Sequence, residues 1–525
     1  MSLRNLDSGL DEAALPAPDD AGERLQPSPL PLDGRLPCQA TVLLATRAER
    51  RHEVLERAGL LLDEAARLAG QRWPGFYGEP RPLMVRIQGE PGTEAGVDFL
   101  VLDGGHAERY ALIIRAMERN LPVLLVEDDG VTLIELPTEE DCEAFLISGA
   151  EAGLVRHAAG AERLAAIAFA PRPNDEAGRL AAYIAEGEPR APGRVEYDML
   201  LALLARTRHD DVRIAIPPPC PIADFATGGR AHYLAWLDEV AARANAHAVF
   251  YGERWRSTIV TRSFLLLMLI FAGAIIGVLA PGLSVVTIPL QLVVTAVIFW
   301  DRRQASRGKW QRKWIEYRGL AECLRCLRFL IAADARTPWQ DEPPDSWVDW
   351  YVGRLDTGAP DGFLPADRAG ALLAYVLDVE IAGQIDYHRA AARRFLRLDV
   401  RLRRIARVLL GGAIAAGFVL FAIGLWRAGV SGVPWMTLTG IAMTVAPSLV
   451  AGITAFRSEF DIVRQIERSS RALNALTRLR LVARRLPVSP RMVRLVAERA
   501  AAIMTEDLTG WRTTLETRQS RLKRR

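Results

Sequence analysis

Lysine is almost missing from this chain. Only Lys309, Lys313 and Lys523 occur among 525 residues, so the positive charge is carried by arginine. Together with the abundance of alanine, this reads as coding bias of a GC-rich bacterium rather than a functional signal. Cysteine is scarce as well: Cys38, Cys142, Cys220, Cys323 and Cys326 form an odd, scattered set. That excludes a disulfide framework and predicts a reducing compartment. Excess charge is lacking too. The formal net charge of +3 gives no ground for a nucleic-acid partner. The first 34 residues, "MSLRNLDSGLDEAALPAPDDAGERLQPSPLPLDG", lack an apolar h-region and are rich in Pro and Asp. They read as a disordered leader rather than a secretory signal, so the following domain is expected in the cytosol. No G-x-G-x-x-G and no GKS or GKT occurs, which excludes a dinucleotide fingerprint and a P-loop. No acid pair, triad or metal cluster stands out, so an enzyme is not expected and no cofactor is identified.

Charge is wholly absent from one long run, Ser263 to Trp300. Pro281-Gly282 divides it into Ser263–Ala280 and Leu283–Trp300, each of 18 residues. At 1.5 Å per residue, each arm reaches roughly 27 Å, close to the hydrocarbon thickness. A second pair follows at Val408–Trp426 and Trp435–Phe456, joined by the turn-rich "RAGVSGVP". Arg254, Arg256 and Arg262 precede the first pair, and Arg302, Arg303, Arg307 and Lys309 follow it. Arg401, Arg403, Arg404 and Arg407 precede the second, and Arg457 follows it. The two inter-arm turns carry only Arg427. By the positive-inside rule, both hairpins enter and leave on the cytosolic side. The expectation is four spans in a bacterial inner membrane, with both termini cytosolic and the lipid bilayer as a partner. No arm contains an ionisable residue, which argues against a proton relay. Thr287, Gln291 and Thr295 are polar candidates for a pore face, or for bonding between helices or to their own backbone. Gly273/Gly277 and Gly412/Ala416 are small residues at spacing four that permit close helix contact. "GAI" recurs in the first arm of each pair, and Pro289 and Pro447 in the second arms, as in a diverged repeat.

Residues 36–130 alternate apolar runs with amphipathic stretches. "ATVLLAT", "LMVRIQG", "VDFLVLDGG" and "PVLLVEDD" read as strands; residues 47–70 and 106–120 read as helices. This alternation predicts a Rossmann-like α/β domain with a parallel sheet. Ligands of such sheets sit beyond the carboxyl ends of strands. Two loops qualify: Ala45-Thr46-Arg47, and Asp103-Gly104-Gly105-His106, where paired glycines admit either a phosphate or merely a tight turn. Further on, "RLAAIAFAP" and "DVRIAIPPP" are candidate strands; "DEAGRLAAYIAEG" and "VEYDMLLALLART" are candidate helices. The resulting division is leader 1–35, α/β domain 36–228, helical stalk 229–262, hairpin 263–300, cytosolic helices 301–404, hairpin 405–456, and helix with basic tail 457–525. The amphipathic helix at 309–332 needs a partner, expected in the helix after the second hairpin. Such a pair makes a bundle or a homo-oligomerisation stalk. Its Cys323-x-x-Cys326 has no second pair nearby and reads as packing.

The order of long helix, two-span hairpin and "WIEYRGLAECLR" resembles the SLATT domains (SMODS- and SLOG-associating two-transmembrane effectors) of bacterial conflict systems. Trp314, Tyr317, Arg318, Ala321, Glu322 and Arg325 carry the resemblance. "DFLVLDGGHAERYALIIRAMERNLPVLLVE" (98–127) is loosely similar to the SLOG sensor stretch, with His106 where that family has Thr. The resemblance implies a nucleotide-derived ligand at Thr46, Arg47, Asp103, Gly104, Gly105 and His106, and an effector that perturbs or gates the membrane. The competing expectation is a membrane-tethered scaffold whose degenerate Rossmann domain has lost its ligand.

Overall fold

The computed structural model describes residues 35–523, apart from 88–96, 136–154, 206–221, 338–345, 427–433 and shorter loops. The expected leader and the expected strand "DVRIAIPPP" fall outside the described residues.

The N-terminal unit is built on a mixed sheet. Its strands are β1 (Leu36–Cys38), β2 (Thr41–Ala45), β3 (Tyr77–Pro80), β4 (Met84–Ile87), β5 (Phe99–Asp103), β6 (Val123–Glu127), β7 (Gly130–Glu135) and β8 (Val155–Ala158). The main sheet runs β4-β2-β5-β6-β7-β8, and β1 pairs with β3 separately. β4, β2, β5 and β6 are parallel; β7 and β8 add antiparallel edges. The parallel strands are the four apolar runs read from sequence. Every residue of TVLLA and FLVLD is buried, as strands covered on both faces require.

Two crossover helices cover opposite faces. α1 (Arg51–Arg72) leads from β2 outward to β4, and α2 (Arg109–Glu118) leads from β5 to β6 on the other side. α1 buries Val54, Ala58, Leu62, Ala65 and Ala69, a helical stripe whose alanines permit a close seat on the sheet. α2 seats Leu112, Ile113 and Ala116 on Leu43, Leu100, Leu102 and Leu125. The chain leaves β2 in one direction and β5 in the other, so the strand order reverses between them.

α3 (Ala161–Ala168) packs against α1, where the sequence suggested a strand. "RLAAIAFA" buries Leu164 and Ala165 while its other side is exposed. An alanine-rich run this short does not separate a period of two from one of 3.6. α4 (Asp175–Ala185) and α5 (Glu196–Ala205) fall on the two expected helices.

The remainder is helical. α6 (Gly228–Leu279) is one helix of 52 residues, on the order of 78 Å long, with no break between the expected stalk and span. α7 (Ser284–Arg307) returns beside it. α8 (Trp310–Ala333), α9 (Trp347–Thr357) and α10 (Ala366–Tyr375) follow, and a π-helical turn (Val376–Ile381) leads into α11 (Ala382–Trp426). α12 (Pro434–Glu459), α13 (Ile462–Ala483) and α14 (Pro490–Lys523) complete the chain. α8 finds its partners in α6 and α14, not in the helix after the second hairpin, because α13 lies against α11. The basic tail continues α14 as helix to Lys523.

The two helical hairpins end alike. α7 ends in Gly308-Lys309 and α12 in Phe460-Asp461, and both Lys309 and Asp461 hold left-handed backbone with φ 50°. A β-carbon on Gly308 would stand 2.2 Å from the Trp310 indole nitrogen, so only glycine lets α8 start that close to the bend.

Two helical stretches, Gly229–Gly273 and Ala366–Ile423, are long and apolar enough to cross a membrane, with mean hydropathy 1.4 and 2.1. Their apolar windows are almost unburied by the protein itself. Phe264, Phe271, Phe418 and Phe421 all project outward. α7 lies along α6, and α12 lies against both α6 and α11.

Candidate functional site

Strand-order reversal places the carboxyl ends of β2 and β5 side by side, which is where open α/β sheets receive ligands. Both loops singled out in the sequence meet there. Thr46 Oγ1 lies 3.5 Å from Asp103 Oδ2, and the Arg47 guanidinium donates to the Gly105 carbonyl. Asp103 is fully buried and turns one oxygen to the Gly105 amide at 3.1 Å.

The crevice is filled by the chain's own side chains. Arg50, one turn beyond Arg47, donates to Asp103 at 3.0 Å and to Asp128 at 2.8 Å. Arg57 reaches the Glu127 carbonyl at 2.9 Å, and Arg109 the Gly104 carbonyl at 2.9 Å. His106 Nδ1 accepts from the Glu108 amide at 3.2 Å, so it braces the start of α2. The glycines have a matching cause. A β-carbon on Gly104 would stand 2.7 Å from Glu127 Cγ, and one on Gly105 2.9 Å from Arg47 Nη2. Close approach is needed, and internal side chains make it. Arg50, Arg57 and Asp128 were not evident from sequence, because a charge on a helix does not declare which strand end it faces.

Chemically, the crevice offers the guanidiniums of Arg47 and Arg50, whose planar forks suit phosphate or carboxylate. Both are at present turned to a carbonyl and to carboxylates. Among the described residues, no group of three His, Cys, Asp or Glu side chains is placed to hold a metal.

A second polar cluster joins the α/β unit to the helices. Glu186, just past α4, accepts from Lys313 Nζ at 3.0 Å and from the Tyr317 hydroxyl at 2.6 Å, and also from the Tyr251 hydroxyl. Lys313 also donates to Tyr251 at 3.1 Å. Tyr183 stacks beside Tyr317, Trp347 and His247 to wall the cluster. Tyr317 belongs to the "WIEYRGLAECLR" stretch, so that motif's tyrosine here anchors a domain junction. Its Arg318 donates to Tyr387 at 2.7 Å, and Glu322 pairs with Arg325 at 3.4 Å. Burial works against the Glu186 carboxylate, but the three donors outweigh it and hold its pKa below the usual glutamate range. Burial likewise opposes charge on Lys313, whereas Tyr251 and Glu186 raise its pKa overall.

These directions fix a pH window. A lowered Glu186 stabilises the fold above its ordinary value of 4.5 and loses that contribution as pH falls through the folded value. A raised Lys313 contributes fully below 10.5 and loses it as pH rises further. Glu186→Ala is expected to cost roughly 1.5–3 kcal/mol, the range for hydrogen bonds to a charged group. The figure for a fully buried ion does not apply, since the side chain keeps 18% exposure. Denaturant unfolding of the full chain at pH 4 and pH 7 checks this: the variant's deficit should shrink at the lower pH.

The cysteines pack. Cys38 donates to the Ala66 carbonyl at 2.9 Å, and burial pushes its thiol up to about 12. Cys326 lies 3.9 Å from the Met504 sulfur, and burial raises it well above the ordinary thiol value.

In the apolar hairpins, Gly273 faces Gln291: a β-carbon there would lie 2.9 Å from the amide nitrogen. Thr295 returns its hydroxyl to the Gln291 carbonyl at 2.8 Å. Gly412 is exposed with no atom facing it within 4 Å. The side chains around Gly277 and that of Thr287 lie outside the described residues. A close contact between the hairpins is elsewhere, where a β-carbon on Gly452 would stand 2.6 Å from Leu267. No family model, no curated protein and no solved structure matches this chain.

Proposed function

We propose that the chain is a four-span inner-membrane protein whose cytosolic α/β domain reports a phosphate-bearing, nucleotide-like ligand to the membrane helices. The observation that carries this reading is the setting of β5. Its carboxyl end forms the crevice. At its other end, Asp98 is clamped by Arg354 of α9. α9 packs on α8, and α8 packs along α6, the helix that runs on into the apolar hairpin. A change at the crevice thus acts on one continuous packed body. The side-chain plug is its resting state: an anion competes with the Gly105 carbonyl for Arg47 and with Asp103 and Asp128 for Arg50. Exposed apolar faces on both hairpins, with basic residues at their cytosolic ends, support the four spans. An opened or oligomerised hairpin set permeabilises the membrane.

A second reading has its own support. Arg47 and Glu127 already occupy the space above the glycines, as in a ligand-free scaffold. One experiment separates the two. Full-length protein in vesicles loaded with a fluorescent dye is exposed to a panel of mono-, di- and cyclic nucleotides. The sensor reading expects release with at least one nucleotide, abolished by Arg47→Ala with Arg50→Ala. Tight vesicles throughout, with unfolding unchanged by any nucleotide, leave the scaffold reading standing.

A further inference from the structure

From Met199 onward, α5 is apolar on every side and yet only half covered. "MLLALLA", Met199 to Ala205, contains no polar side chain. Its inner face is spent on the helices: Leu201 and Ala205 are buried with Ile259 of α6, Leu402 of α11 and Phe456 of α12. Val195, just before the helix, and Met199 and Leu203 on its outer face are exposed to 53%, 67% and 76%. They follow one another at spacing four, along one stripe. A helix apolar all round belongs in a core or a membrane, and the protein supplies a core to one side only.

The height of α5 identifies the other side. Its start is pinned to the foot of the first hairpin. Arg194 donates to Thr258 at 3.1 Å, to Thr261 at 3.0 Å and to Asp301 at 2.6 Å, and the Tyr197 amide donates to Ser257 at 3.2 Å. Asp301 directly follows Trp300, the end of the uncharged run, and residues 257–261 precede Ser263 by two to six positions. That is roughly 3–9 Å below the apolar segment along the helix axis. The headgroup layer on each side of a bilayer is of that order, roughly 5–8 Å. The end of α5 is pinned as well, by Arg401, which donates to the Leu203 and Leu204 carbonyls at 3.2 and 2.8 Å. The helix is therefore held at both ends beside the feet of the hairpins. Ile405 and Val408 on α11 and Phe299 on α7, near the same ends of the hairpins, are exposed apolar residues too. Exposed Arg302, Arg303, Arg403 and Arg404 share that level, where anionic headgroups attract them.

We infer that α5 is an interfacial helix: its Val195–Met199–Leu203 stripe rests in the headgroup and upper acyl region of the cytosolic leaflet. Lying in the membrane plane with one apolar face in lipid is what such a helix does. The inference rests on the four-span reading above. It gives the α/β unit its own lipid contact, separate from the spans.

The test uses the full chain in vesicles of zwitterionic lipid with anionic phosphatidylglycerol. Single cysteines at Met199 or Leu203 carry an environment-sensitive fluorophore, in a background with Cys142 and Cys220 changed to serine. The remaining native cysteines are buried. Labels at Phe418 on a span and Leu60 on α1 are the references. The inference expects quenching at 199 and 203 by lipids bearing a quencher near the headgroup, with loss of quenching by aqueous iodide. Quenching by iodide alone at these sites, with Phe418 still lipid-quenched, overturns the inference and leaves the spans intact. Shielding from both quenchers that disappears on dilution means a second copy covers the stripe, and also overturns it. A Phe418 label quenched only by iodide removes the four-span reading, and the inference with it.

Discussion

Replacing Arg354 by methionine is expected to loosen the α/β unit from the helices and to cost about 3–5 kcal/mol, the loss found when one partner of a buried ion pair is removed. Arg354 and Asp98 keep only 11% and 8% side-chain exposure. The guanidinium lies 5.3 Å from the centre of the Phe169 ring, and Phe169's carbonyl accepts from the Tyr77 hydroxyl at 2.6 Å. Asp98 also accepts from the Thr41 amide at 2.9 Å. Burial alone disfavours charge on Arg354, yet its pKa is raised, with Asp98 the main cause. Without the arginine, the Asp98 carboxylate in this dry junction loses its opposite charge and keeps the Thr41 amide. The loss is a large part of the 5–15 kcal/mol that typically separates folded from unfolded domains. Backbone hydrogen exchange over β2, β5 and α9 is the suitable measurement, because a multi-unit chain need not melt in one step. Arg354→Met combined with Asp98→Leu should recover most of the protection, since an apolar pair of similar volume often replaces a buried ion pair without loss. If the double variant exchanges as fast as the single one, the clamp acts through packing and not through charge.

That clamp marks the limit of what the sequence makes legible. β2, β4, β5 and β6 are readable because each is a short unbroken apolar run closed by a turn, and the loops at the ends of β2 and β5 follow from that reading. β1, with three residues, and β7, "GVTLIE", carry too few apolar positions to declare themselves. Asp98 and Arg354 stand 256 residues apart, and nothing local to either names its partner. The same holds for Glu186, in Glu186-Gly187-Glu188, which gathers donors from α6 and α8. Continuity is hidden in another way. The change from amphipathic to apolar at Arg262-Ser263 looks like a boundary, but no proline or glycine stands there to stop a helix, so α6 runs through. The stripe on α5 was visible only as hydrophobicity. Which side of that helix is covered depends on α6, α11 and α12 arriving from elsewhere in the chain.

Arg328→Met is expected to steepen the rise of stability on acidification that Asp238 already contributes. Arg328 lies between Asp238 of α6 and Glu380 of the π-helical turn, donating to Glu380 at 3.1 Å and to Asp238 as well. All three side chains are nearly dry, at 14%, 12% and 5% exposure. Glu380 also accepts from the Tyr375 hydroxyl at 2.9 Å. That contact joins positions five apart, which a π turn stacks and an α-helix rotates away from each other. The ionic hub thus favours the wide turn, and the turn sets the angle at which α10 passes into α11. Burial raises the Asp238 pKa even with Arg328 pulling it down. Once the arginine is removed, nothing opposes that rise. Asp238 then binds its proton still more tightly folded than unfolded, so folding takes up a proton and stability increases as pH falls. The variant should lose about 3–5 kcal/mol near neutral pH, as expected for two carboxylates stranded in a dry site. It should regain part of that loss on acidification towards pH 5. Unfolding of the full chain in detergent at both pH values, beside the parent, is the measurement. Glu380→Gln serves as the control: its amide oxygen still accepts from Tyr375 and Arg328, so the π turn should persist with a smaller loss. A deficit for Arg328→Met that is equal at both pH values would mean that the arginine's stem fills space there and its charge does not hold the hub.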